Sequence, residues 1–340
     1  MPRPARRLRY VFYSMKSVSE IFSTLGRRLD GFGSDAATRS CIDRAIEANG
    51  WFTQRDILRA VDAVRSEMLD PGKLDAWLSG YTPVAVPRDV AVIMAGNIPL
   101  VGFNDLLCVA ASGNVCCVKP SGKDTVLMEM IIDMLREIEP QIAIRPFDDA
   151  ASYDAVIATG GDDANRYFRT RFAGTESLLR GSRHSVAVLS GNESTEDLAA
   201  LIDDITSYSG LGCRNVSMIL LPQGYDPDLY TDRPINVKLR RNLVATAAML
   251  TMQRRPFTDC GAFLCVESTT FPSALSCVAL HRYDDTAQVE KWLSDNDAHI
   301  QCVVTDRLEH PRRAAFGRAQ YPALTDYADG CDTMSFLTAL

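Results

Sequence analysis

The stretch 90-VAVIMAGNIPLVGFNDLLCVAASGNVCCV-118 decides how this chain folds. It is long enough to cross a membrane and carries a single charge, Asp105. Yet Asn97, Pro99, Asn104, Asp105 and Asn114 interrupt it, and in hydrocarbon each unpaired polar group is costly. A buried strand-helix-strand unit accounts for all of it. "VAVIMA" is a short, continuous apolar run suited to a strand covered on both faces. "GNIPL" is a loop, "VGFNDLLCVAA" a helix stopped by Gly113, and "VCCVKP" a second buried strand.

The same alternation continues downstream. "DTVLMEMIIDMLREI" reads as helix, "YDAVIATG" as strand, "DDANRYFRTRF" as helix and "HSVAVLS" as strand. "TEDLAALIDDITSYSG" then leads to the strand "VSMILLP", the long helix "NVKLRRNLVATAAMLTMQ" and the strands "GAFLCVES" and "LSCVALHRY". The helix "TAQVEKWLSDN" and the strand "IQCVVT" follow. Alternation of this kind predicts α/β architecture, with parallel sheets covered by helices. Upstream, from Val18 to about Leu78, the pattern is helical. "TQRDILRAVDAVRSEMLD" places apolar residues three and four apart and stops at Pro71-Gly72. With no internal repeat and no low-complexity linker, two interleaved domains fit better than two in series.

Composition narrows the function. At 340 residues there is length for about two domains, and 46% hydrophobic with 23% charged residues is ordinary for a globular chain. A net charge of -7 argues against nucleic acid as a partner, because a phosphate-binding face makes a domain basic. The 10 cysteines are scattered through apolar segments and no pair has zinc spacing, so reduced thiols in a cytoplasmic protein are expected, without a metal. The Arg-rich start "MPRPARRLRYVFYSMKSVSEIF" lacks the apolar core of a signal peptide. A disordered tail or an upstream start codon is expected, with a transit peptide as the alternative, since Met15 begins an ordinary helical pattern.

Four loops carry the chemistry: "GNIPL", "VKPSGKD", "ATGGDDANRYF" and "GLGCRNVS". The first three follow buried strands, where open α/β sheets place their ligands. Taken singly, each has a plain alternative. Asn97 is either an amide donor in a site or the cap of the next helix. Lys119 is either a ligand contact or a solvated lysine at a turn. Gly160-Gly161 either opens a helix onto phosphate or only turns the chain. Cys213 is either a nucleophile or one more apolar filler. The glycines before it favour the first reading, because they free the backbone and leave room for a carbonyl.

Taken together, these loops resemble the aldehyde dehydrogenase superfamily, and within it the LuxC-like fatty acyl-CoA reductases. The resemblance runs from about Val90 to Phe336 and is carried by "MAGNIPLVGFNDLLCV", "DAVIATGGDDANRYF", "SVAVLSGNE", "GLGCRNVS" and "YPALTDYADGCDTMSFL". It implies a Rossmann-like nicotinamide domain (81–187 with 305–340), a catalytic domain (188–304) and an N-terminal helical segment (1–80). Cys213 becomes the nucleophile and Asn97 the amide that holds the oxyanion. Lys119, Ser121 and Lys123 would hold the adenosine end of the cofactor, with Gly160 and Gly161 at its phosphates.

Two departures bear on the reaction. Where relatives carry a Glu base in an "ELGGKS"-like string, this chain has "RGSRHS", with Arg180 nearest the Glu position. Where they carry a Glu ahead of "FGP", "VESTTFPS" offers only Glu267. Hydrolysis of an acyl-enzyme needs an activated water, whereas its reduction does not. The expectation is therefore reduction of an acyl thioester, on coenzyme A or on a protein, to the aldehyde through a Cys213 acyl-enzyme. Gly122 stands where NAD-preferring relatives often carry a Glu, and Lys123 is beside it, so NADPH is expected over NADH. The alternative is a cofactor-independent acyltransferase or thioesterase, which would need a His base such as His184. Cys260 is the next thiol to consider as nucleophile. Self-association is left open, and stable membrane insertion is not expected.

Overall fold

The structure, a computed structural model, describes residues 15–340; the Arg-rich stretch before Met15, and the expectations attached to it, lie outside the described residues. Four helices come first: α1 (Met15–Arg28), α2 (Ala36–Ala48), α3 (Gln54–Ala63) and α4 (Pro71–Leu78). Their starts are chemically marked. The Asp35 carboxylate accepts from the Ala37 and Thr38 N–H groups, and Asp70 caps a helix whose first residue is Pro71. Val18, Ile21, Phe22 and Leu25 recur at helical spacing on α1 and are all buried.

A first sheet follows, built from β1 (Asp89–Ile93), α5 (Phe103–Ala111), β2 (Val115–Lys119), α6 (Thr125–Ile138), β3 (Ile144–Pro146), β4 (Ala155–Thr159), α7 (Asp162–Arg171) and β5 (Glu176–Arg180). Its strands are parallel in the order β3-β2-β1-β4-β5. Val90, Ala91 and Val92 have no exposed surface, as expected of a central strand covered on both sides. The four N-terminal helices share a core with α5 and α6.

The second sheet is built from β6 (His184–Val188), α8 (Thr195–Thr206), β7 (Val216–Pro222), α9 (Val237–Met252), β8 (Thr258–Asp259), β9 (Leu264–Glu267), β10 (Cys277–Tyr283), α10 (Thr286–Asp295), β11 (Ile300–Val304) and β12 (Arg313–Ala314). Its order is β12-β11-β6-β7-β10-β9-β8, parallel except for the β8–β9 pair. The chain ends in α11 (Thr333–Thr338), which returns to the first unit. There Met334 and Leu337 join the core of α5, and the Asn114 side chain donates to the Leu337 carbonyl at 3.0 Å.

Two expectations change here. The boundary drawn at 187 moves to the residues between Arg180 and His184, because β6 pairs with β7 and β11. The segment 305–340 is likewise shared, since β12 extends the second sheet and only the part from about Leu324 packs on the first. The short strands β3, β5, β8 and β12 were not legible: they are edge strands of two to five residues with charged or polar positions.

Candidate active site

In the first sheet β1 leads to β2 on one side, while β4 lies on the other. Ligands sit at such a switch point, beyond the carboxyl ends of the strands. Asn97 follows β1, Lys119 ends β2, and Gly160-Gly161 follows β4. Cys213 lies just before β7 and meets this edge from the second sheet. The contact is direct: the Asn97 side-chain amide donates to the Leu211 carbonyl at 2.7 Å, two residues before the thiol. The second N–H of that amide remains for a substrate oxygen.

The loop holding Cys213 is tightly specified. Tyr208 (φ 52°), Ser209 (φ 57°) and Gly210 (φ 75°) are three consecutive left-handed residues, and only the glycine adopts this conformation freely. Such backbone persists where its surroundings enforce it, and it clusters at functional sites. Here Asp56 accepts from the Tyr208 N–H at 3.0 Å. Buried Asn215 does more. Its amide donates to the carbonyls of Asp204 and Ser207 at 2.9 and 2.8 Å, and its oxygen accepts from the Gly212 N–H at 2.8 Å. Any Cβ on Gly212 would lie 2.9 Å from that oxygen. Ser185 on β6 donates to the Cys213 carbonyl at 2.9 Å. Asn215 and Ser185 had no role in the sequence reading; an Asn between a glycine run and an apolar strand was the available signal.

Of the ten cysteines, eight are buried, and only Cys213 and Cys331 are exposed. Cys260 is among the buried ones, its sulfur 3.6 Å from that of Cys265, so Cys331 replaces it as the competing accessible thiol. Although Cys213 is exposed as a residue, desolvation raises its thiol pKa above the ordinary value. Arg214 and, more weakly, Arg180 pull it down, while Asp329 pushes it up. The Arg214 guanidinium is fixed by the Ala319 carbonyl at 2.5 Å. Beside it opens a polar cavity of about 400 Å³ walled by Arg214, Gln301, His310, Arg312, Asp326 and Asp329, among others.

Arg180 ends β5 and is 5% exposed. It donates to Asp105 at 2.6 Å and to the Thr333 hydroxyl at 2.8 Å, while its Nε has no partner among the described residues. The position matching the family's carboxylate base is thus held by a buried cation. Glu267 does not compensate: it pairs with Arg282 at 3.0 Å at the far end of β9. His184 bonds to Ser217 at 2.9 Å and stacks on Phe271 with ring centroids 4.4 Å apart. It alternates with Ser185, the residue that reaches Cys213, and so faces away from the thiol.

The cofactor candidates are gathered along the first sheet's edge, with differing freedom. Lys119 pairs with Asp149 at 3.3 Å and lies over the Phe147 ring. The Ser121 hydroxyl accepts from the Lys123 N–H at 3.3 Å, and Gly96 packs so closely against Ser121 that a Cβ there would lie 2.6 Å from it. Lys123 makes no ion pair among the described residues, and a Cβ at Gly122 would meet open space. The buried Thr159 hydroxyl, directly before Gly160, has no partner among the described residues, and a Cβ at Gly161 would also meet open space. These residues fit a nicotinamide dinucleotide. Asp162 and Asp163 in the first turn of α7 oppose phosphate there and leave the backbone N–H groups as the attractive element.

Comparison with known proteins gives the family and the fold. "Long-chain acyl-protein thioester reductase 2" of Photobacterium leiognathi is 28% identical over 175 residues, 45% of this chain; the match spans only 36% of that relative's length. An aldehyde dehydrogenase of Mycobacterium tuberculosis complexed with NAD+ superposes with a TM-score of 0.62 at 13% identity, over 85% of this chain and 73% of that one. A putative aldehyde dehydrogenase of Burkholderia cenocepacia does so with a TM-score of 0.62 at 13% identity, over 88% and 76%. At these identities the two structures establish the fold, which is that of the aldehyde dehydrogenases. Residues 37–232 match the family described as acyl-CoA reductase (LuxC), and the chain belongs to that family.

Proposed function

We propose that this protein reduces an acyl thioester to the aldehyde, with NADPH as reductant, through an acyl-enzyme on Cys213. The observation that carries this reading is the 2.7 Å bond from Asn97 to the Leu211 carbonyl, which joins the ligand edge of one sheet to the thiol loop of the other. The Cys213 thiolate adds to the thioester carbonyl. The free N–H of Asn97 steadies the oxyanion, where one such donor is typically worth about 3 kcal/mol. The donor's thiolate then leaves and takes up a proton equivalent to the one Cys213 lost. A nicotinamide dinucleotide held by Lys119, Ser121, Lys123, Gly160 and Gly161 would supply the hydride that the acyl carbon takes up. The resulting thiohemiacetal on Cys213 breaks its C–S bond, the aldehyde departs, and the sulfur is reprotonated from solvent.

None of these steps calls for a carboxylate base, in keeping with Arg180 at that position. Cofactor-independent acyl transfer would need a histidine near the thiol, and His184 is committed to Ser217 and Phe271. Lys119, Ser121 and Lys123 are assigned to the adenosine end, and Gly160 and Gly161 to the diphosphate.

The test is an assay with acyl-CoA and NADPH in which the aldehyde is identified. Cys213→Ala should abolish turnover, and without cofactor acyl-CoA should add an acyl mass to the wild type but not to this variant. Labelling that persists in Cys213→Ala and vanishes in Cys331→Ser would move the nucleophile and overturn the assignment.

A further inference from the structure

A cavity of about 60 Å³ opens where α3, the end of α8 and the segment before α9 meet, and its walls include Arg55, Arg59, Asp203, Ser209 and Arg233. Three guanidiniums crowd onto one carboxylate there. Asp203 Oδ1 accepts from Arg55 and Arg233 at 2.9 Å each and from Arg59 at 3.0 Å, while Oδ2 accepts from Arg59. A carboxylate oxygen has about two lone-pair sites, so three charged donors on Oδ1 exceed what it can satisfy. Asp56, the other acid in the walls, is engaged elsewhere: its oxygens accept from the Tyr208 N–H at 3.0 Å and from the Thr53 hydroxyl at 2.6 Å. Ser209 is 6% exposed, and its hydroxyl makes no hydrogen bond among the described residues. After Arg233 no Asp or Glu follows until Asp259, although the chain as a whole carries a charge of -7.

We propose that Arg55, Arg59 and Arg233 form a phosphate-binding subsite beside the thiol loop, filled by a phosphate of a coenzyme A thioester or by free phosphate. A guanidinium presents five N–H donors in a planar fork that matches phosphate oxygens, and Asp203 engages only a minority of those offered here. A phosphate supplies both the missing acceptors and the missing negative charge. Size selects the group, because the cavity has room for a phosphate and not for a whole dinucleotide. None of the residues assigned to NADPH lines it. A carboxylate on a partner's surface would reach Arg55, whose side chain is 60% exposed, but not Arg59, at 13%. The position bears on the reaction. Ser207 and Ser209 wall the cavity and Asp56 holds Tyr208, so a phosphate seated here lies against the loop that carries Cys213.

The variant is Arg55→Gln/Arg233→Gln, which leaves the more buried Arg59–Asp203 pair in place. Calorimetry uses inorganic phosphate and coenzyme A as probes. The wild type should bind at least one of them, and the variant should bind it at least tenfold more weakly. Binding of neither probe, or binding that the variant retains, overturns the subsite. A kinetic arm identifies the source and rests on the reductase reading. One acyl group is offered on coenzyme A and on pantetheine, which carries the same thioester without phosphate. A tenfold fall in the ratio of kcat/KM for acyl-CoA over acyl-pantetheine supports the subsite and assigns it to the donor. An unchanged ratio and an unchanged KM for NADPH, together with lost binding of inorganic phosphate, support it as a site for free phosphate. An unchanged ratio with a tenfold rise in the KM for NADPH places the cluster in the cofactor site and overturns the proposal. If the wild type reduces neither thioester, the reductase reading fails, while the calorimetry still decides the subsite.

Discussion

At the residue scale the decisive group is Cys213, whose environment pulls in two directions. Desolvation and Asp329 keep the proton on the sulfur, and Arg214 is the main influence favouring the thiolate. A thiol raised by burial reacts slowly until a cation or substrate binding favours its ionised form. Arg214→Met should therefore move the pH midpoint of Cys213 alkylation upward, measured with a small alkylating agent and mass detection. A downward or absent shift would show that Arg214 serves only to hold the Ala319 carbonyl. Arg180 belongs to the same scale. A Glu there would face Asp105 across about the same distance, two buried carboxylates in place of an ion pair, which is why the change of base to cation also requires Asp105.

At the scale of elements, the loop before β7 and the turn after β2 do the positioning. Asn215 closes the first by donating to two carbonyls and accepting from one N–H. Removing a buried partner leaves such groups unsatisfied at roughly 1–3 kcal/mol each. Asn215→Ala should cost about 2–4 kcal/mol in urea unfolding, and Asn215→Asp at least as much, since it turns a carboxylate oxygen toward carbonyls. An Asp variant more stable than the Ala variant would contradict this account. In the turn after β2, the open space at Gly122 and the unpaired Lys123 suit a 2′-phosphate. Lys123→Ala should lower the preference for NADPH over NADH by about tenfold, the equivalent of 1.4 kcal/mol. Gly122→Glu should reverse it. Michaelis constants for both cofactors decide, and an unchanged ratio in Lys123→Ala would clear that lysine of any role.

At the scale of the whole molecule, buried acids tie together segments distant in the chain. Asp204 accepts from Gly317 and Ala319 at 2.7 and 3.1 Å, joining α8 to the segment that leads back to the first unit. Asp124 accepts from the strained Leu100 N–H at 2.7 Å, joining the Asn97 loop to the start of α6, and its other oxygen is buried without a partner. Burial pushes the Asp124 carboxyl up to about 8 and that of Asp204 to about 7. Between the ordinary value of 3.8 and these values the native state binds more protons than the unfolded chain. Their contribution to stability is therefore fully present below pH 3.8 and is lost as pH rises through 7 and 8. Asp124→Asn keeps the bond to Leu100 without a titrating proton. Its melting temperature should fall less than that of wild type between pH 6 and 9, by direct comparison of thermal scans at about four pH values. Parallel curves would mean that Asp124 stays ionised.

Much of this was legible in the chain itself. Continuous apolar runs such as 90–95 and 115–118 fix central strands, because a strand buried on both faces has no place for a polar residue. Asn97 and Gly160-Gly161 stand where such runs stop and Cys213 just before one begins, and their local chemistry marks them. Other features had no local signature. The edge strands are too short and too polar to announce themselves, and the unit boundary before His184 depends on which strands β6 pairs with. Asn215, Ser185 and Asp124 act through backbone groups brought to them by folding, and Arg180 matters only because Asp105, 75 residues earlier, is folded against it. The sequence determined the central strands and marked the candidate thiol by local pattern. The tertiary structure decided their partners, because hydrogen bonds and ion pairs across long stretches of chain exist only once folding brings those stretches together.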